Sequence, residues 1–262
     1  MTYSTNFLRS VTAPVLMRMI TVCALFLSVL AAPAAAQDVD KGAIEKIVRE
    51  YLLANPEVIT EALTELERRE REAAEAARVA TLSDSADILF NSTRQVVLGN
   101  PQGSVTLVEF FDYNCGYCKR AYGDMARLIE QHPELKVVLK EFPVLGQGSV
   151  EAAQVAIAVN SVAPDKYGEF HEALLLSRGQ ANRASALAAA TATGIAEDDL
   201  LVALKTDVAG ETIEEVYALA NQLGLTGTPS YVIGNDVVMG AVGYDQLNQK
   251  LDALKNCGQT TC

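Results

Sequence analysis

The chain has 262 residues, 50% of them apolar and 21% charged, the composition of one or two globular domains rather than of a disordered or fibrous protein. Its 21 Lys and Arg stand against 33 Asp and Glu, a net charge of -12; that sign excludes a protein that coats nucleic acid or an anionic lipid surface. Five cysteines are too few for a disulfide-built miniprotein, and two histidines leave little imidazole for a metal centre, so the chemistry is expected to rest on sulfur.

Residues 1–36 carry Arg9 and Arg18 and no acid, then an apolar run from Met19 to Leu30, then Ala34, Ala35 and Ala36. That order reads as a signal peptide cleaved after Ala36, its apolar run of about twelve residues falling short of the roughly 20 that span a bilayer. Cys23 is not expected to be a lipoprotein acceptor, because Val22 occupies the place of a small residue. The mature chain would have 226 residues, a net charge of -14 and four cysteines. An even cysteine number in an exported chain places it where disulfides persist.

From Asp40 onward, Ile44, Ile47, Val48, Tyr51 and Leu52 follow helical spacing. Asn55-Pro56 interrupts the pattern, and a second helix is predicted there with Asn55 as N-cap, Pro56 at its first position and a stripe of Ile59, Ala62, Leu63 and Leu66. These helices form an arm over 37–66. Glu67 to Arg78 keeps helix formers but loses large apolar residues, so 67–93 reads as a charged helical linker. Two short amphipathic helices bury little by themselves; their stripes call for a partner, either another copy of the chain or its own main domain.

The main domain is assigned to 94–262. A short strand ends at Leu98 before the turn at Gly99-Asn100-Pro101, and Val105 to Phe111 is nearly all apolar, as a central strand covered on both faces requires. A helix over Cys115 to Gln131 and a strand over Leu135 to Phe142 complete a βαβ unit. Residues of about 146–224 are helical throughout, and Tyr231 to Ile233 with Val237 to Met239 flank Gly234-Asn235-Asp236 as a hairpin. A helix over Leu247 to Leu254 closes the chain, giving an α/β order of ββαβ, a helical insert, then ββα.

Cys115-Gly116-Tyr117-Cys118 falls where the central strand ends and a helix begins. Zinc sites also use CxxC but need two further ligands, and His132 and His171 show no ligand spacing; an inert disulfide is the other alternative. Unpaired N–H groups and the macrodipole at a helix N-terminus favour a thiolate over a thiol, which suits Cys115 to attack and Cys118, one turn inside, to resolve. Glu109 is an acid within an apolar strand; a solvated edge position is the alternative, and the apolar neighbours on both faces argue for burial. Buried there, its carboxyl would titrate high and shuttle the Cys118 proton, with Lys140 on the next strand as charge partner unless that lysine is simply exposed at a strand end. Pro229 beside a strand marks a turn or a cis bond. Cys257 and Cys262 read as a local disulfide, with a second redox pair or an intermolecular bridge as alternatives, and His171 as a packed or half-exposed histidine.

VEFFDYNCGYC, KEFPVLG, the helical insert and TGTPSYVIG together resemble the DsbA-like branch of the thioredoxin superfamily, over roughly Gln95 to Leu254. VREYLLANPEVITEALTELE resembles the arm of the suppressor of copper sensitivity protein C group, periplasmic DsbA-like proteins in which that arm mediates oligomerisation. The resemblance implies a thioredoxin fold with a helical insertion, preceded by a helical arm. It also implies that Cys115 attacks, Cys118 resolves, Glu109 is the buried acid, and Pro229 is cis with Thr228 facing the sulfurs. A client strand would then pair with the backbone at Thr228.

Gly116-Tyr117 departs from the Pro-His pair of the oxidase DsbA and is similar to the pair in the dimeric isomerase DsbC, as is Thr228. The expectation is a periplasmic thiol-disulfide oxidoreductase with no cofactor beyond its redox-active Cys115–Cys118 disulfide. It favours isomerase or reductase work on unfolded or misoxidised exported proteins, as a dimer or trimer. A membrane thiol-disulfide electron donor is implied by the family alone. The rival readings are a DsbA-like dithiol oxidase and a copper-binding or chaperone-like oligomer.

Overall fold

A computed structural model describes residues 40–262; the expected signal peptide over 1–36, with Cys23, lies outside the described residues. The chain forms two compact units that divide between Glu67 and Arg68.

In the first unit, helix α1 (Lys41–Ala54) is opened by the Asp40 carboxylate, which accepts from the Gly42 N–H at 3.0 Å. Asn55 was expected to cap the next helix. Instead it closes α1, its side-chain amide donating to the Tyr51 carbonyl at 2.9 Å. Ile44, Ile47, Val48, Tyr51, Ile59, Leu63 and Leu66 are exposed in the single chain.

Helix α2 (Glu57–Asp84) runs for 28 residues. Its exposed face carries charge pairs one turn apart, Arg68 with Glu72 and Arg78 with Glu75. The 67–93 stretch is not a solvated linker throughout. Leu82 at its end and Leu89 in the short helix α3 (Ala86–Phe90) are buried in the core, each contributing about 1.5–3 kcal/mol. Arg78 also reaches Asp236 at 3.0 Å.

The second unit is built on a mixed five-stranded sheet in the order β1-β3-β2-β4-β5. Its strands are β1 (Val96–Gly99), β2 (Val105–Phe111), β3 (Leu135–Glu141), β4 (Ser230–Ile233) and β5 (Asp236–Met239). Only β2 and β3 run parallel, joined through helix α4 (Gly116–Gln131). Between β3 and β4 lies the insert: α5 (Gln147–Val162), α6 (Tyr167–Leu175), α7 (Arg183–Ala192), α8 (Glu197–Ala203) and α9 (Val208–Gln222). Helix α10 (Tyr244–Cys257) follows β5.

Side chains alternate across a strand, and the sheet sorts its residues accordingly. Leu107, Phe111, Val137, Leu139, Tyr231 and Ile233 enter the core packed with α4 to α7 and α10. Val108, Phe110, Val138, Phe142 and Val232 enter the opposite core, with Leu82, Leu89 and α9. The sequence-predicted order of strands and helices is the order observed.

Candidate active site

The site forms where β2 runs out. Asp112 is buried and ties the loop together: its carboxylate accepts from the backbone N–H of Asn114 at 2.7 Å and of Leu145 at 2.9 Å, and its carbonyl from the Cys115 N–H at 3.0 Å. Asn114 clamps the loop to the insert, donating to Ser149 Oγ and the Ala181 carbonyl and accepting from the Ala181 N–H. The approach is close: a Cβ on Gly148 would stand 2.7 Å from the Ala181 oxygen.

Cys115 is the N-cap residue of α4. Its thiol donates to the carbonyl of Thr228 at 3.2 Å, and the Thr228–Pro229 peptide is cis. It is therefore the Thr228 backbone that meets the sulfur. Gly116 and Tyr117 lie on the surface; Tyr117 is 60% exposed with the Arg120 guanidinium 4.3 Å from its ring centroid. Cys118 is buried one turn in, and burial, reinforced by the nearby Glu109 carboxyl, pushes its thiol far above the ordinary value. Both sulfurs are buried, Cys115 at the loop surface beside the exposed Gly116 and Cys118 behind it, an order that fits an attacking sulfur in front and a resolving one that needs a base.

Glu109 sits in mid-β2 between Leu139 and Tyr231 of the flanking strands. Burial alone pushes its carboxyl up to about 8. Among the described residues none hydrogen-bonds this carboxyl, which lines a cavity of about 220 Å³ with His171, Tyr122, Phe111, Met125 and Leu139.

Lys140 is not its partner. Glu109 pairs with Leu139, so Lys140, one residue on, points through the opposite face of the sheet. There its ammonium is fully buried and donates to the Ile88 carbonyl, while Lys136 donates to that of Phe90 at 2.7 Å. Two cations thus hold the C-terminal carbonyls of α3, a structural task. Burial lowers Lys140 to about 8.

Cys257 and Cys262 are disulfide-bonded, with Cα atoms 6.3 Å apart. The tail they close lies on the sheet edge, where Thr260 donates to Asp236 at 3.2 Å. Among the described residues no group of three or more His, Cys, Asp or Glu side chains is placed to hold a metal ion.

Sequence reasoning missed a buried polar row behind the loop, formed by Tyr113, Glu141, Tyr167 and His171. His171 was expected as a packed or half-exposed residue; it is 3% exposed and hydrogen-bonded to Tyr113. The signal available was period two: Glu141 lies two residues beyond Leu139, and so on the face of Glu109.

Residues 106–252 match the DSBA-like thioredoxin domain family, and residues 40–73 match the copper resistance protein ScsC N-terminal domain. Among solved structures, the thiol-disulfide exchange protein alpha-DsbA2 from Wolbachia pipientis is 32% identical, over 70% of this chain and 98% of that one, with a TM-score of 0.65. Proteus mirabilis ScsC in a transitional conformation is 31% identical, over 82% of this chain and 94% of that one, with a TM-score of 0.60. Among curated proteins, disulfide bond formation protein D of Bacillus subtilis is 25% identical over 169 residues, 60% of this chain and 76% of that protein. With the CxxC pair, the buried acid and the cis-proline loop on one DsbA-like scaffold, this chain belongs to the DSBA-like thioredoxin domain family of thiol-disulfide oxidoreductases.

Proposed function

We propose that this protein is an exported disulfide isomerase or reductase that exchanges disulfides in other exported proteins through Cys115 and Cys118. The observation that carries the reading is the sulfur geometry: Cys115 at a helix N-terminus, hydrogen-bonded to the carbonyl before cis-Pro229, with Cys118 buried behind it next to Glu109. Export is supported by the basic, apolar and small-residue order of 1–36.

The Cys115 thiolate attacks one sulfur of a client disulfide, forming a mixed disulfide and releasing the other client sulfur as a thiolate that takes a proton from solvent. In isomerisation a client thiolate then attacks the mixed disulfide and returns Cys115 reduced. In reduction Cys118 gives up its proton, attacks Cys115 and expels the client thiolate. The electrons are carried by the two sulfurs, so no cofactor enters. Backbone at Thr228 and the exposed Gly116 and Tyr117 would meet the client strand. An isomerase must be kept reduced, and the family likeness supports a membrane thiol-disulfide electron donor for that task.

Isomerase work is favoured over dithiol oxidation by Gly116-Tyr117 and by the arm. The exposed stripes of α1 and α2 are suited to packing against other copies of this chain, in a dimer or trimer whose several sites face one client. The test is reactivation of scrambled ribonuclease by the mature chain beside a version beginning at Arg68, which keeps the Leu82 and Arg78 contacts. Reactivation that collapses on truncation is expected. Dithiol oxidation by both forms with no reactivation would make the protein an oxidase instead.

A further inference from the structure

The exchange steps above leave the buried row behind the active-site loop unused. The Tyr167 hydroxyl donates to Glu141 at 2.7 Å, the Tyr113 and Tyr167 hydroxyls are 3.2 Å apart, and Tyr113 meets His171 Nδ1 at 3.1 Å. All four side chains are at most 5% exposed.

The row engages one ring nitrogen of His171 and leaves the other outside it. Tyr167 gives its proton to Glu141, and the Tyr113 hydroxyl lies within hydrogen-bond distance of both the Tyr167 hydroxyl and His171 Nδ1. Burial pushes the imidazole down to about 3, so the ring is neutral, and Nε2 is the nitrogen that the row does not use. Among the described residues no group hydrogen-bonds Nε2.

His171 and Glu109 both line the cavity, whose remaining wall is largely hydrocarbon. Two polar groups without protein partners line one space of about 220 Å³, several times the roughly 30 Å³ share of one water. A water molecule both donates and accepts, and so bridges the two in either tautomer of the ring. The wall includes the exposed Ala126 and half-buried Tyr122 of α4, so the space opens beside that helix.

We propose that His171 is a positioning residue for the exchange reaction: its Nε2 holds cavity water against the Glu109 carboxylate, so that Glu109 takes the Cys118 proton and passes it out beside α4. The proposal rests on Cys115 and Cys118 being the exchanging pair. In the step it serves, the Cys118 S–H bond breaks and its proton goes to Glu109. The thiolate forms the Cys115–Cys118 bond, and the client sulfur leaves with the electron pair of the broken mixed disulfide. The titratable groups around Glu109 are Cys115 at the start of α4, Cys118 and Tyr122 from α4, Tyr231 from β4 and His171 from α6; β3 presents Leu139 beside it and Glu141 two residues on. Glu109 becomes a base as pH rises through about 8, and water held by Nε2 solvates that base form. Loss of Nε2 must therefore move the rise to higher pH.

The test uses the mature reduced chain and a symmetrical aryl disulfide in a stopped-flow instrument, against pH. One aryl thiolate is released when Cys115 attacks and a second when Cys118 resolves. His171→Asn keeps a group to pair with Tyr113 but loses the Nε2 position; His171→Gln restores a polar group there. For His171→Asn, the first release is expected within about twofold of wild type and the second slowed roughly tenfold near neutral pH, its rise displaced upward. His171→Gln recovers most of that loss. If His171→Asn fails to fold, Ala126→Phe at the exposed mouth is expected to slow the second release alone. A second-release pH profile in His171→Asn that matches wild type, or in its place an unchanged Ala126→Phe, overturns the proposal. So does equal slowing of both releases without rescue by His171→Gln. Absence of both releases in wild type would instead overturn the assignment of the exchanging pair, and this proposal with it.

Discussion

Glu109→Gln separates stability from function at one atom. Burial lifts the Glu109 carboxyl from 4.5 to about 8 in the folded protein, while in the unfolded chain it ionises near its ordinary value. Between those two pH values the folded state holds a proton that the unfolded state has released, so stability falls as pH rises through the window and levels off above it. A displacement of about 3.5 pH units at 1.36 kcal/mol each gives roughly 5 kcal/mol as the largest cost. With the residue only 6% exposed, little of that is screened away. Glutamine has the same shape and no charge. In urea titrations of the oxidised version beginning at Arg68, the variant is expected to match wild type at about pH 4 and to exceed it by about 3–5 kcal/mol at about pH 8.5. The same variant lacks the acceptor for the Cys118 proton, so the second aryl thiolate release slows roughly a hundredfold. A stability difference that does not grow between about pH 4.5 and pH 8 would refute the account of Glu109 as an unpaired buried acid.

Asn114→Ala removes the clamp between the active-site loop and the insert and leaves both backbone groups of Ala181 unpaired; thermal or urea unfolding is expected to show a loss of about 2–4 kcal/mol, with a slower first thiolate release. Lys140→Met leaves both releases within about twofold, because the ammonium serves α3 and not the sulfurs. Since burial lowers Lys140 from 10.5 to about 8, its charge costs stability below the folded value and ceases to do so above the unfolded one. The methionine variant is therefore expected to be about 1–2 kcal/mol more stable near neutral pH, after the lost Ile88 bond, with the gain fading as pH rises from about 8 to 10.5. Ile47→Asp with Leu63→Asp changes side chains that are exposed in the single chain. Light scattering is expected to show loss of association with the melting of the second unit unchanged, and scrambled-ribonuclease reactivation falls with it.

What the sequence revealed and what it hid divide along the range of the interactions involved. The strand VTLVEFF and the CxxC at a helix start are local signals, and the structure places each where its pattern puts it. The partner of Glu109 is not local. The expectation of Lys140 as its charge partner fails on register: the parallel pairing sets Glu109 against Leu139, and a shift of one residue moves a side chain to the other face of the sheet. With the βαβ unit in hand, period two would have excluded Lys140 and placed Glu141 on the face of Glu109. No strand periodicity could have brought Tyr167 and His171 to that row, because they arrive on α6, from an insert whose packing is fixed only by tertiary contacts such as the Asn114 clamp. The consequence is chemical. A lysine beside Glu109 would hold it ionised by direct charge. The apolar wall found there leaves it protonated near neutral pH.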